Sequence, residues 1–151
     1  MTEITPEIHK KLGVDLFNKV WSLIDKSDRS DEEDDLMINA AHASLYHWMQ
    51  VGEPVNRSRG EWQISRVYSL CGRAEPALYH AEKNLRICLD NGIGDFDLAF
   101  AYEALARAYT VENHIEKVAE YRTLGLAASK SIKKKEDRDY FVTELSSIKS
   151  G

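Results

Sequence analysis

The chain has 151 residues, 43% hydrophobic and 30% charged, a composition that suits one globular domain and excludes a disordered or fibrous chain. No apolar run approaches the roughly 18–20 residues of a membrane helix, residues 1–6 carry no signal-peptide pattern, and the two cysteines make no disulfide framework, so a cytoplasmic location is expected. The net charge of −5 argues against nucleic acid as a partner, since such binding needs a basic field, and the acidic excess falls in residues 1–56.

Seven helices are expected in chain order. Thr5 followed by Pro6 is a helix start, with threonine as the cap and proline at the first helical position. From there to Asp25, residues Ile8, Leu12, Leu16, Val20 and Leu23 recur at spacings of three or four and form one apolar stripe. Ser30 with Glu33 reads as a capping box that opens a second helix over residues 31–50. The third is expected from near Arg57 to Cys71, where Gly72 stops it, and the fourth from Glu75 to Asn91. Asp95 is expected to cap a fifth helix reaching Glu112. A sixth covers residues 115–133 and a short seventh residues 136–148. No segment alternates with period two, so the fold class is all-α, with short connections that favour antiparallel neighbours.

Helices three and five repeat one another. At an offset of 41 residues, Ile64 meets Leu105, Arg66 meets Arg107, Tyr68 meets Tyr109, and Gly72 meets Asn113. Glycine and asparagine are the two residues that most readily end a helix in the left-handed conformation. In the following helices the offset is 42, pairing Ala77 with Ala119 and Tyr79 with Tyr121. Two helical hairpins built alike mark a short α-solenoid.

The string Ala104-Leu105-Ala106-Arg107-Ala108-Tyr109 with Asn113 resembles the first-helix signature of a tetratricopeptide repeat. Residues 64–68 with Gly72 form a second copy, and Ala77 matches the family's small residue in the second helix. The spacing exceeds the usual repeat length, and the closing proline is missing. The resemblance divides the chain into an N-terminal helical pair (1–56), two tetratricopeptide-like hairpins (57–132) and a C-terminal capping helix (133–151). The segments His42–Trp48, Val51–Arg57, Arg59–Gln63 and Gly72–Ala81 also resemble a group of bacterial proteins, with no activity to carry across.

In tetratricopeptide repeats the first helix of each pair lines a concave surface. The resemblance therefore puts Arg59, Trp62, Arg66, Phe100, Glu103 and Arg107 along a groove. Arginines that pair with carboxylates, beside aromatic contact area, would suit a protein or peptide with acidic groups. The plainer reading is that the second helix covers Trp62 and that the arginines are ordinary surface charges or partners of Glu61 and Glu103. A different alternative is a small enzyme or small-molecule binder. There His42, Tyr46, Arg59 and Glu61 would converge in a pocket between helices two and three for acid–base chemistry. A structural homodimer is a third, because an uncapped repeat face invites self-association. No metal or cofactor is expected: His42 and His47 are five residues apart, so they point about 140° apart on a helix.

Overall fold

A computed structural model describes residues 2–149, which form seven helices and no strand. They are α1 (Pro6–Ile24), α2 (Asp31–Val51), α3 (Pro54–Leu70), α4 (Ala74–Asp90), α5 (Asp95–Val111), α6 (Ile115–Ser129) and α7 (Lys135–Ser146). The first six pack as three hairpins, α1 on α2, α3 on α4 and α5 on α6, stacked in a solenoid-like row. Within that row α3 lies directly on α5, and α7 closes the end against α5 and α6. Among the described residues no helix is long and apolar enough to cross a membrane.

Local signals set most boundaries. Thr5 accepts from the Ile8 N–H at 3.2 Å, and the Ser30–Glu33 capping box closes in both directions at 3.2 and 3.0 Å. Gly72 and Asn113 both take left-handed backbone, with φ of 72° and 61°. The closing bonds match as well: Arg73 N–H donates to Tyr68 O at 2.9 Å and His114 N–H to Tyr109 O at 3.0 Å. The two hairpins thus turn by the same device at equivalent residues.

Three boundaries differ from expectation. α3 begins at Pro54 rather than near Arg57, because proline takes its first position and the Asn56 side chain accepts from the Glu53 N–H at 2.9 Å. α6 stops at Ser129, and the chain tightens through three successive short-range bonds that swing Ile132 into the core. Asp95 is itself the first residue of α5 and is left-handed, φ 54°. Its Oδ1 accepts from the next N–H (Phe96, 2.6 Å) and its Oδ2 from the Lys133 N–H (3.3 Å), which ties the start of α5 to the linker before α7.

The interior has two cores. One gathers Val20, Met37, Ala41, Leu45, Ile64 and Val67 between α1, α2 and α3. The other gathers Phe100, Leu105, Val118, Ile132, Phe141 and Leu145 around α5. Gly60 lets α2 and α3 approach closely, since a Cβ there would lie 2.8 Å from Leu45 Cδ1. α5 is buried on every side: Ala99, Ala101, Ala104, Ala106 and Ala108 are all inaccessible or nearly so. The expectation that this helix lines an open groove with Phe100, Glu103 and Arg107 is therefore corrected. Its alanine belt lets α3, α4, α6 and α7 all pack against it.

Candidate functional site

The residues expected to line an open groove do come together, but α7 lies over them. Glu103 is fully buried at their centre. Its Oε1 accepts from Trp62 Nε1 at 3.0 Å, and its Oε2 accepts from Arg107 Nε at 2.7 Å and from an Arg66 terminal nitrogen at 3.3 Å. Arg66 also donates to Glu144 Oε1 of α7 at 3.2 Å. Arg107 donates to the Glu144 carbonyl and to Ser147 Oγ, each at 3.1 Å, while Arg122 reaches the Ile148 carbonyl at 2.8 Å. The Glu144 carbonyl also accepts from the Ser147 N–H at 3.2 Å and the Ser147 hydroxyl at 2.6 Å, so Arg107 adds to local bonds at the end of α7 while Arg122 holds the carbonyl just beyond it. The Arg66 and Arg107 side chains are only 12% and 17% exposed. The open-groove expectation is corrected on this geometry, because both guanidiniums are engaged within the chain. Arg66 and Arg107 pair with Glu103, as the plainer reading has it, but Trp62 is covered by α1 and α5 rather than by α2. Trp21 stacks on it at 5.6 Å and Phe100 meets it edge-on at 5.8 Å.

Arg59 points elsewhere. It holds Asp97 through two hydrogen bonds, 2.9 and 3.2 Å, and this bond raises its pKa above the ordinary arginine value. The pair stands at the rim of a cleft of about 390 Å³ at the meeting of α1, α3, α4, α5 and α7. Six aromatic side chains wall it: Phe17, Trp21, Trp62, Phe96, Phe100 and Tyr140. Five of them, Trp21, Trp62, Phe96, Phe100 and Tyr140, form one connected array, with Phe100 at 4.6 Å from Phe96 and 5.7 Å from Tyr140 between ring centres. Burial, with nearby Glu144, pushes the Tyr140 phenol above its usual value, so it stays a neutral hydroxyl. The polar lining adds Asp137 and two buried residues, Ser58 and Asn84. Ser58 donates to Asn84 Oδ1 at 2.7 Å, and Asn84 Nδ2 has no partner among the described residues.

The residues of the expected second pocket do not converge. His42 Nε2 and the Tyr68 hydroxyl are 2.8 Å apart, and Glu61, almost fully buried, accepts from His80 Nδ1 at 2.7 Å. His42 packs edge-on against His80 at 5.3 Å. Burial first, and then His80, push the His42 imidazole below its ordinary value, against the opposing effect of Glu61. Tyr46 is exposed beside His9 and His47, and Arg59 is in the aromatic cleft. The cleft and a smaller cavity beside Trp48 both miss His42, Glu61 and Tyr46. No group of three or more His, Cys, Asp or Glu among the described residues is placed to hold a metal ion.

Sequence reasoning named Arg59, Trp62 and Phe100 but missed Phe17, Trp21, Phe96, Asp137 and Tyr140. Phe96 and Phe100 are one helical turn apart, as are Phe17 and Trp21, and that repeated aromatic spacing was the readable signal. The fold and cleft together define a stacked-hairpin, all-α protein with an aromatic recess at one helix junction. Comparison with known proteins finds no matching family model, curated protein or solved structure.

Proposed function

We propose that this chain is a non-enzymatic recognition module of the helical-repeat type that takes its ligand in the aromatic cleft. One observation carries the reading: six aromatic side chains enclose a recess of about 390 Å³ in an otherwise close-packed junction of helices. Binding sites for small molecules run from about 300 to 1,000 Å³ and are mostly apolar with a few fixed polar groups. This cleft is at the small end, sized for one side chain of a partner peptide or one small molecule. The acidic-partner version of the module loses its support, because its three arginines are held within the chain, Arg66 and Arg107 by Glu103 and Arg59 by Asp97. The enzyme alternative finds less support, because neither the cleft nor the cavity beside Trp48 is lined by His42, Tyr46 or Glu61.

A fragment screen read by NMR tests the proposal. Bound fragments should shift the indole N–H signals of Trp21 and Trp62 together with the amides of Phe96 and Tyr140. Fragments that bind only elsewhere, or a screen with no hits at all, would refute it.

A further inference from the structure

The charges at the cleft point to what its ligand carries, an argument that rests on the cleft being the recognition site. Three charged side chains line it: Arg59, Asp97 and Asp137. Arg59 and Asp97 neutralise each other through their paired hydrogen bonds. Asp137, in the first turn of α7, has no ion-pair partner among the described residues. One uncompensated carboxylate therefore stands beside an aromatic wall. Ring faces are electron-rich and attract cations. The wall already hosts one, since the Arg66 guanidinium lies 5.8 Å from the Trp62 ring centre. An anion would meet both Asp137 and the ring faces, with Arg59 already committed.

The polar lining also separates one cation from another. A bare ammonium brings three N–H donors that each need an acceptor. Asn84 Oδ1 already accepts from Ser58, its Nδ2 is a donor like the ammonium itself, and Asp97 is held by Arg59, so Asp137 is the one carboxylate of the lining left to serve three N–H donors. A quaternary, fully methylated ammonium has no N–H and needs no acceptors, gives up less hydration, and presents methyl groups to aromatic rings. We infer that the cleft binds a quaternary, fully methylated ammonium group on an apolar stem, with the cation between Asp137 and the aromatic wall. Such a group is carried by a trimethylated lysine side chain in a peptide or by a small free quaternary amine.

The test titrates the chain with choline and with its neutral carbon isostere, 3,3-dimethylbutan-1-ol, and reads tryptophan fluorescence. The cation should bind roughly tenfold more tightly than the isostere. Asp137→Asn should remove most of that preference without changing isostere binding. Glu136→Gln, a neighbouring exposed acid outside the lining, should change neither. Tyr140→Leu, at the exposed end of the wall, should weaken the cation more than the isostere. A peptide carrying one trimethyllysine then separates the sources: tighter binding than choline assigns a peptide, weaker binding a free amine. Equal affinity for cation and isostere, or an Asp137→Asn variant that folds and still prefers the cation, overturns the inference while leaving the cleft as an apolar site. If cation and isostere both fail where neutral fragments bind, the inference falls alone. If no fragment binds either, the cleft reading falls with it.

Discussion

Replacing Glu103 by glutamine tests the network beneath α7 most directly. Glutamine keeps the shape of the side chain and can still accept from Trp62 Nε1, so the main loss is the negative charge. Two guanidiniums depend on that charge. Arg66 keeps Glu144 as a second carboxylate, whereas Arg107 keeps only the neutral Glu144 carbonyl and Ser147 hydroxyl. Hydrogen bonds to charged groups contribute about 1.5–3 kcal/mol each, and stranding one buried partner costs about 3–5 kcal/mol. Because Arg66 retains a partner, the lower end applies, about 3 kcal/mol. For a domain of this size that is a fall in Tm of roughly 6–12 °C. Urea unfolding followed by circular dichroism measures it. The difference should persist in high salt, as screening reaches buried pairs poorly. Adding Arg107→Met to Glu103→Gln should recover part of the loss, since no stranded cation is left at that position. A Glu103→Gln variant within about 1 kcal/mol of the wild type, or a double variant no better than the single one, would refute the reasoning.

Tyr68 stacks on His80 and Tyr109 on Tyr121, so alanine at either should cost roughly 2–4 kcal/mol in urea unfolding; changes below about 0.5 kcal/mol at both would dissolve the repeat equivalence. A Cβ at Gly72 would meet nothing within 4 Å, so Gly72→Ala should cost only the left-handed penalty, about 1 kcal/mol, and Gly72→Asn distinctly less, as Asn113 does the same work one repeat on. Stability should also fall in mild acid. Burial lowers the pKa of His42 and of His47 below the ordinary 6.5, so between the folded and ordinary values the unfolded chain binds more protons. Their contribution is complete above the ordinary value and is lost as pH falls through the depressed ones; a urea midpoint that stays flat from about pH 7 to about pH 5 would contradict this.

The fold was legible where one or two turns decide it. Thr5-Pro6, Ser30 with Glu33, and Gly72 matched by Asn113 each act within a few residues, and the helices begin and end accordingly. The site was legible only in fragments. Periodicity locates a stripe on a helix but not the number of neighbours that helix has. On α5, Glu103 and Arg107 read as an exposed polar face, while the alanines around them marked a helix packed on all sides. The partners that bury them come from far along the chain: Glu144 is 78 residues from Arg66 and 37 from Arg107. The cleft has the same origin, since its aromatic side chains belong to α1, α3, α5 and α7 and meet only after stacking.

α3 belongs to both cores, giving Ile64 and Val67 to one and Trp62 to the other. The wall of the cleft is divided in the same way, with Phe17 and Trp21 on α1 and the remaining aromatics on α3, α5 and α7. If the first hairpin peels away from α3, the cleft loses that side while the α5 core keeps its own contacts. A ligand held between the two parts then acts as a bolt. It would slow amide hydrogen exchange in α1 and α2 far more than in α5 and α6, and the excess protection would report the occupancy of the cleft from a helix pair that contributes only two of its aromatic residues.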